Sequence, residues 1–189
     1  MATTETPERR HWLGKLVERW PTVLGLATVA ALGAGVAGDA DNELGDILLM
    51  LPLLYLIVAK LRRPASTWPV VIGLLVLATV VSKFDIVRTG YVFAAIALIL
   101  LVWAAVDGQL GRGEDFTIQA LGMAGFGALA VVSIVADPEI GRYVLAACWL
   151  LHGVWDFVHL RLNRTVARSF AEWCAVVDVL VAVALVVGI

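Results

Sequence analysis

The chain has 189 residues, of which 61% are hydrophobic, whereas soluble domains are roughly 45–50% apolar. This excess indicates a protein of the lipid bilayer and argues against a soluble globular domain. The 14 basic and 16 acidic residues nearly balance, and the basic ones are scattered over short loops, so nucleic acid is not expected as a partner.

Residues 1–20 form a polar N-terminal segment ahead of the first apolar stretch. The segment lacks an apolar core that ends in a small-residue cleavage site, so we expect no cleaved signal peptide. Trp12, Leu16 and Trp20 fall on one helical face, with charged residues on the other. This pattern predicts a short amphipathic helix in the inner membrane interface. A partner-binding helix is the alternative.

Seven stretches are long and apolar enough to cross a bilayer, which takes about 20 residues per helix. They cover residues 21–38, 44–61, 66–82, 89–106, 116–136, 139–160 and 168–188. Pro52 lies in the middle of the second stretch, where a proline should kink the helix and free a backbone carbonyl. The sequence therefore predicts an all-α polytopic membrane protein, with residues 21–189 forming a single seven-helix transmembrane domain.

The basic residues orient this bundle. Only three of the 14 fall in loops on one side, namely Lys83, Arg88 and Arg142, and the others lie on the side of the N-terminus. Because Lys and Arg accumulate in cytoplasmic loops, the N-terminus is expected inside and the C-terminus outside. The expected location is a multi-pass position in a plasma or inner membrane.

The fourth and sixth spans resemble each other. Residues 91–112 and 143–164 are identical at ten of 22 positions, including the leading Tyr, a Trp and the final Arg. The pattern predicts a duplicated helix pair, spans 4–5 and 6–7, and same-orientation repeats are known in transporter folds. Spans 5 and 7, however, match poorly.

The two copies differ in their polar residues. Where the first copy has Leu100, Ala104 and Asp107, the second has His152, Asp156 and His159. Since one copy has Leu and Ala at the positions of His152 and Asp156, the repeat does not need these two groups for folding. They are candidates for a function.

The candidate site combines residues of the last two spans. His152, Asp156 and His159 fall within about 60° of one another on span 6, and span 7 carries Glu172 and Asp178. A rise of 1.5 Å per residue places Asp156 and Glu172 roughly 6–8 Å from the cytoplasmic end, and His152 and Asp178 roughly 14–15 Å. The sequence thus predicts two level polar pairs across the hairpin.

The energetic cost of these groups favours a function. An ionisable side chain near mid-bilayer costs about 2.5–3.5 kcal/mol on insertion scales. The cluster must therefore bind protons, water, a metal or its own members. A self-satisfied network that locks spans 6 and 7 together is the structural alternative.

Two metal sites are compatible with the spacing, with zinc or iron as the expected divalent ion. One site combines His152 and Asp156 with Asp178 or Glu172, and the other combines Asp156, His159 and Glu172. The two histidines lie two turns apart, about 10 Å, so they cannot bind one ion together. Haem with His152 as a ligand is less favoured, because the second histidine lies on the same helix.

Other polar residues have simpler interpretations. Asp107 and Gln119 are level with the inner part of the cluster and are expected to line a cytoplasmic vestibule. Tyr55 is expected to be an ordinary interfacial tyrosine, and a place in the same vestibule is the alternative.

Three functions follow as hypotheses. The first is a membrane-embedded enzyme, open to the cytoplasmic side, in which His152, Asp156, Glu172 and Asp178 act as acid–base groups or metal ligands on a lipid or isoprenoid-like substrate. The second is a proton- or cation-coupled transporter or channel that uses the same carboxylates as a relay. The third is a structural membrane subunit. The apolar run after Asp178 argues for a one-sided site. Membrane lipid and an apolar small molecule are the expected partners, and an oligomer remains open.

Seven spans with an inside N-terminus and the His-x3-Asp motif of His152 and Asp156 resemble, loosely, the intramembrane zinc hydrolases of the ceramidase and adiponectin-receptor type. The resemblance covers this one short motif, which lies on a different helix. No His-x3-His pair accompanies it in this sequence, so no residue role is carried over.

Overall fold

The structure of the chain is a computed structural model that describes residues 18–33, 40–85, 87–110 and 114–188. These residues form seven α-helices and one short 3₁₀ turn, with no β-strand among them. The helices are α1 (Trp20–Gly33), α2 (Ala40–Leu61), α3 (Thr67–Phe84), α4 (Thr89–Val106), α5 (Glu114–Val135), α6 (Pro138–Leu162) and α7 (Arg168–Val187). The predicted all-α class is confirmed.

Helices α2 to α7 are long and apolar enough to cross a membrane, and α1 is a shorter apolar helix. Their outer faces carry large apolar side chains that are more than half exposed, among them Ile72, Leu98, Ile99 and Leu121. Soluble proteins rarely leave apolar surface of this extent in water. The exposed faces therefore indicate a protein embedded in a membrane. The amphipathic segment predicted for residues 1–20 lies outside the described residues, except for residues 18–20.

Helix α2 is the centre of the bundle. It contacts α3, α4, α5 and α6, and the side chains of Leu48, Leu53 and Leu54 are fully buried. The helix continues through Pro52, which has no N–H to donate to the carbonyl four residues earlier. Leu53, Leu54 and Tyr55, which follow Pro52, are fully buried in the middle of the protein. From there they can reach α6.

Basic residues gather at one end of the bundle, which we call the arginine-rich end. It carries Lys60, Arg62, Arg63, Arg161, Arg164 and Arg168. Polar contacts join neighbouring helices here: Lys60 binds Asp107 at the end of α4, and the Arg164 guanidinium lies 2.6 Å from the Asp115 carboxylate at the start of α5. The adjacent helix ends are thereby held together.

Four aromatic rings connect α1, α3 and α7 near the same end. The ring centroids of Trp20 and Trp68 are 5.6 Å apart, and those of Trp68 and Trp173 are 5.7 Å apart. Phe170 completes the group at 5.6 Å from Trp173. Each Trp retains an N–H for a polar partner, and Trp68 donates to the Ser169 hydroxyl. This aromatic packing sets α1 against one side of α7.

Helices α6 and α7 form the most extensive helix pair, whereas α4 and α5 have few contacts with each other. The linker between them is short: α6 ends at Leu162, Asn163 follows in the left-handed conformation (φ +49°), and α7 begins at Arg168. Gly153 lets the two helices approach closely, since a Cβ atom there would lie 3.2 Å from the Asp178 Cβ. The tight pairing brings the polar faces of α6 and α7 together.

This packing makes Gly153→Ala a test of the hairpin. The added methyl group must push α7 away, and we expect a loss of about 1–3 kcal/mol in stability, as for other overpacked sites. Gly127→Ala is the control, because a Cβ there meets nothing within 4 Å and alanine should stabilise the helix by about 0.5–1 kcal/mol. Thermal unfolding in detergent compares the two. Equal stabilisation by both changes would contradict the close packing.

Candidate functional site

Four buried side chains from α6 and α7 meet in the middle of the bundle. His152 and Asp156 come from α6, and Cys174 and Asp178 come from α7. None is more than 1% exposed, and one possible ligand atom from each lies within 4.8 Å of all the others. We call these four residues the buried cluster.

The strongest contact in the buried cluster joins the two helices. The Nδ1 atom of His152 lies 2.7 Å from Oδ2 of Asp178 and 3.3 Å from Oδ2 of Asp156. The predicted level pairing of His152 with Asp178 is thus confirmed as a contact. One nitrogen faces two carboxylate oxygens, and a single N–H can make a good hydrogen bond to only one of them.

The other carboxylate oxygens have their own donors. The Tyr55 hydroxyl donates to Oδ1 of Asp156 at 2.5 Å, and the Cys174 thiol donates weakly to Oδ1 of Asp178 at 3.8 Å. Oδ2 of Asp156 remains without a hydrogen-bond partner among the described residues. Nε2 of His152 is likewise without a partner there. The carboxylates of the buried cluster therefore lack one donor or one positive charge.

The charge balance leads to the same conclusion. Two carboxylates face one imidazole, so even a protonated His152 leaves one negative charge uncompensated at a place with no solvent exposure. An unpaired buried charge costs several kcal/mol. A proton on one carboxyl group or a bound cation would restore neutrality.

His159 belongs to a neighbouring contact and not to the buried cluster. Its Nδ1 lies 2.9 Å from the Trp155 carbonyl oxygen, which can only accept, so this nitrogen carries the proton. In the neutral ring Nε2 then accepts from the Gln119 amide at 2.9 Å. The His159 ring also packs against the Tyr55 ring, with centroids 4.8 Å apart. Tyr55 thus separates His159 from Asp156 while touching both.

Glu172 lies elsewhere. Its carboxylate accepts from the Thr22 hydroxyl at 2.6 Å and contacts Arg19 at 3.4 Å. The predicted pairing of Glu172 with Asp156 is therefore not what the structure shows. Glu172 and Asp178 point about 120° apart on α7. When Asp178 faces α6, Glu172 must face α1.

Tyr55 and Cys174 are the site residues that the sequence interpretation undervalued. The interfacial placement expected for Tyr55 is wrong, because its side chain is fully buried. The available signal was a tyrosine within the otherwise apolar run of residues 47–59, one turn after Pro52. Cys174 lies one turn before Asp178 on the same face, a spacing visible in the sequence. Nothing in the sequence alone showed which helix Tyr55 would meet.

The two residues expected in a vestibule have different surroundings. Asp107 binds Lys60, and this hydrogen bond lowers the pKa of the Asp107 carboxyl below its ordinary value. The Asp107 carboxylate therefore stays ionised at neutral pH, and its contact with Lys60 connects α2 to α4. Gln119 is only 2% exposed and holds His159.

A groove between α5 and α6 connects the surroundings of His159 and Gln119 with the outer surface of the bundle. It has a volume of about 780 Å³, and its walls are mostly apolar, with His159 and Gln119 among the lining residues. Through His159 and Tyr55, the groove adjoins the buried cluster.

No protein-family model, curated protein or solved structure matches this chain. The function of the chain therefore has to be argued from the geometry of the site.

Proposed function

We propose that the chain is a multi-pass protein of a plasma or inner membrane with seven spans, in which α1 is the additional short span. The arginine-rich end faces the cytoplasm, because positive loops remain on that side. The N-terminus is then inside and the C-terminus outside. The similarity of residues 91–112 to 143–164 supports an origin by duplication of a helix pair.

We further propose that the buried cluster binds one divalent metal ion through His152, Asp156 and Asp178. The supporting observation is Oδ2 of Asp156, a buried acceptor without a donor, which lies beside a nitrogen and a second carboxylate oxygen. A divalent cation would neutralise both carboxylates and occupy the space that these three atoms face. A metal thereby resolves the charge imbalance that the protein groups leave.

The arrangement suits zinc or iron. Imidazole and carboxylate are ligands for both ions, and a catalytic zinc commonly has three protein ligands and one open position. The Cys174 thiol makes the longest hydrogen bond in the cluster, 3.8 Å to Oδ1 of Asp178, and the three-ligand set would leave one position of the ion open. In this proposal water or substrate takes that position. Tyr55 orients Asp156 from outside the ligand set.

The proposed activity is that of a membrane-embedded enzyme acting on a lipid or isoprenoid-like molecule. The groove between α5 and α6 supports an apolar substrate, because it opens on the lipid-facing surface and is lined mostly by apolar side chains. His159 and Tyr55 stand between the groove and the buried cluster, where they can move a proton. A metal would supply a polarised oxygen or an activated water. Glu172 has no part in the chemistry, since it faces α1.

A proton relay is the second candidate, and one observation favours it. Tyr55, Asp156, His152 and Asp178 form a continuous series of polar contacts across α2, α6 and α7. Beyond Asp178, however, α7 offers only apolar residues up to Val187. The series therefore ends inside the bundle, which favours a one-sided site over a conducting path.

Metal content tests the main proposal. We expect purified wild-type protein to contain about one zinc or iron per chain by elemental analysis, and Asp178→Asn to lose it because a neutral amide binds such ions poorly. Glu172→Gln is the matched control, since it alters a carboxylate of the same helix outside the site, and it should retain the metal. Metal-free wild-type protein with a proton flux in proteoliposomes that Asp178→Asn abolishes would replace this proposal with the relay.

Tyr55→Phe tests the hydrogen bond to Asp156. Removing the hydroxyl should weaken metal binding by about 10–100-fold, the usual effect of losing a group that orients a metal ligand. Competition with a chromogenic chelator measures the affinity. Tyr91→Phe is the control, because Tyr91 is 66% exposed and distant in sequence from the site residues. Unchanged affinity in Tyr55→Phe would remove this tyrosine from the site.

Catalysis needs its own measurement. Purified protein in vesicles of a total lipid extract should convert one lipid class, as followed by mass spectrometry. Asp156→Asn should slow this conversion by at least about 100-fold, since it removes a metal ligand and the partner of Tyr55. If metal binding is intact and no lipid changes, the enzyme hypothesis fails while the metal site remains.

A further inference from the structure

The groove between α5 and α6 adjoins a second cavity at the arginine-rich end. The second cavity has a volume of about 440 Å³, and both spaces are lined by Asp115, Arg164 and Thr165. The groove is bounded mainly by apolar side chains, whereas the second cavity is also bounded by charged and polar side chains. Together they form an amphipathic site that runs from the side of the bundle to its end.

The apolar part owes its width to small residues on α5. Gly125 and Ala128 line the groove on this helix, whereas at Gly122 the Trp155 ring of α6 lies 3.0 Å from where a Cβ atom would be. A Cβ atom at Gly125 would meet nothing within 4 Å, so the space beside this residue is free. A straight hydrocarbon chain fits such a channel between two helices.

Polar atoms without partners point to a ligand with hydrogen-bonding groups. Gln119 lines the groove and is only 2% exposed, and its Oε1 atom has no partner among the described residues. The hydroxyl oxygen of Thr165, which lines both spaces, is also unpartnered there. Buried polar groups are normally hydrogen-bonded. A bound molecule that carries donors and acceptors at this depth would satisfy both.

The charge at the second cavity favours an anion. Arg62 and Arg164 both line it, and Asp115 provides the single carboxylate among the lining residues. Arg164 contacts Asp115 at 2.6 Å, so Arg62 supplies the excess positive charge. Guanidinium groups bind phosphate through paired, charge-assisted hydrogen bonds. Arg62 and Thr165 both adopt left-handed backbone conformations, with φ of +52° and +69°, which non-glycine residues seldom do.

We propose that this amphipathic site binds one anionic phospholipid. Its acyl chain lies in the groove beside Gly125, its ester region meets Gln119 and Thr165, and its phosphate lies between Arg62 and Arg164. The inference rests on the proposed function in one respect. That function makes the bound lipid either the substrate or the immediate neighbour of the substrate. Binding of the lipid is measured independently of any reaction.

The first test fills the groove. Gly125→Leu places a side chain where the acyl chain would lie and should weaken binding of phosphatidylglycerol to delipidated protein about tenfold, as measured by native mass spectrometry. Gly127→Leu is the matched control: it lies two residues away, also has free space around its Cβ, and does not line the groove. The control should bind like wild type. Equal binding by both variants and wild type would overturn the proposal.

The second test concerns the head group. Arg62→Gln combined with Arg164→Gln should abolish the preference for phosphatidylglycerol over phosphatidylcholine, which we expect to be about tenfold in wild type. Arg161→Gln is the control, because Arg161 packs over the Phe157 ring and lines neither space. Competition by inorganic phosphate at millimolar concentration, together with indifference to Gly125→Leu, would show a site for free phosphate. That result would overturn a lipid site.

Metal analysis of the same variants separates the two proposals. Gly125→Leu and the double arginine variant should retain metal, because neither change touches the buried cluster. If these variants lose lipid binding and retain metal, the result supports the lipid site independently of the metal proposal. Normal lipid binding by metal-free wild-type protein would reject the metal proposal and leave the lipid site standing.

Discussion

The structure depends on two carboxyl groups that face a single imidazole in the middle of the helix bundle. Asp156 and Asp178 share one imidazole nitrogen, and one oxygen of Asp156 has no donor among the described residues. In the interior of a protein such an imbalance is expensive and must be resolved by a proton or a cation. Tyr55 and Cys174 add donors from α2 and α7 but do not supply a positive charge.

The helix packing keeps this cluster closed to solvent. Gly153 allows α7 to lie close enough for the Asp178 carboxylate to reach His152. The central position of α2 places the Tyr55 hydroxyl on Asp156 from the opposite side. Three helices thus converge on one point, and each position depends on the other two. An arrangement of this kind holds its polar groups in fixed geometry, as a metal or acid–base site requires.

The site has an inner and an outer part, separated by aromatic rings. His159 lies in the wall of the groove, and the Tyr55 ring packs against it on the way to Asp156. The outer part is the groove, which faces apolar surface and ends among arginines. The inner part is the buried cluster, which is closed to solvent. This division suits a protein whose ligand comes from the membrane and whose reactive groups are shielded from water.

The sequence alone determined the helical class, the position of most helices and the equal depth of His152 and Asp178, because helical rise and periodicity are local properties of the chain. It also marked α6 as the helix with candidate functional residues, through the comparison with the similar segment of residues 91–112. Only the tertiary structure decided that Glu172 turns to α1, that Tyr55 reaches Asp156 and that His159 belongs to a separate contact. Those outcomes depend on which helix packs against which face. Depth along one helix cannot reveal the rotation of that helix or the identity of its neighbours, since these are set by the packing of the whole bundle.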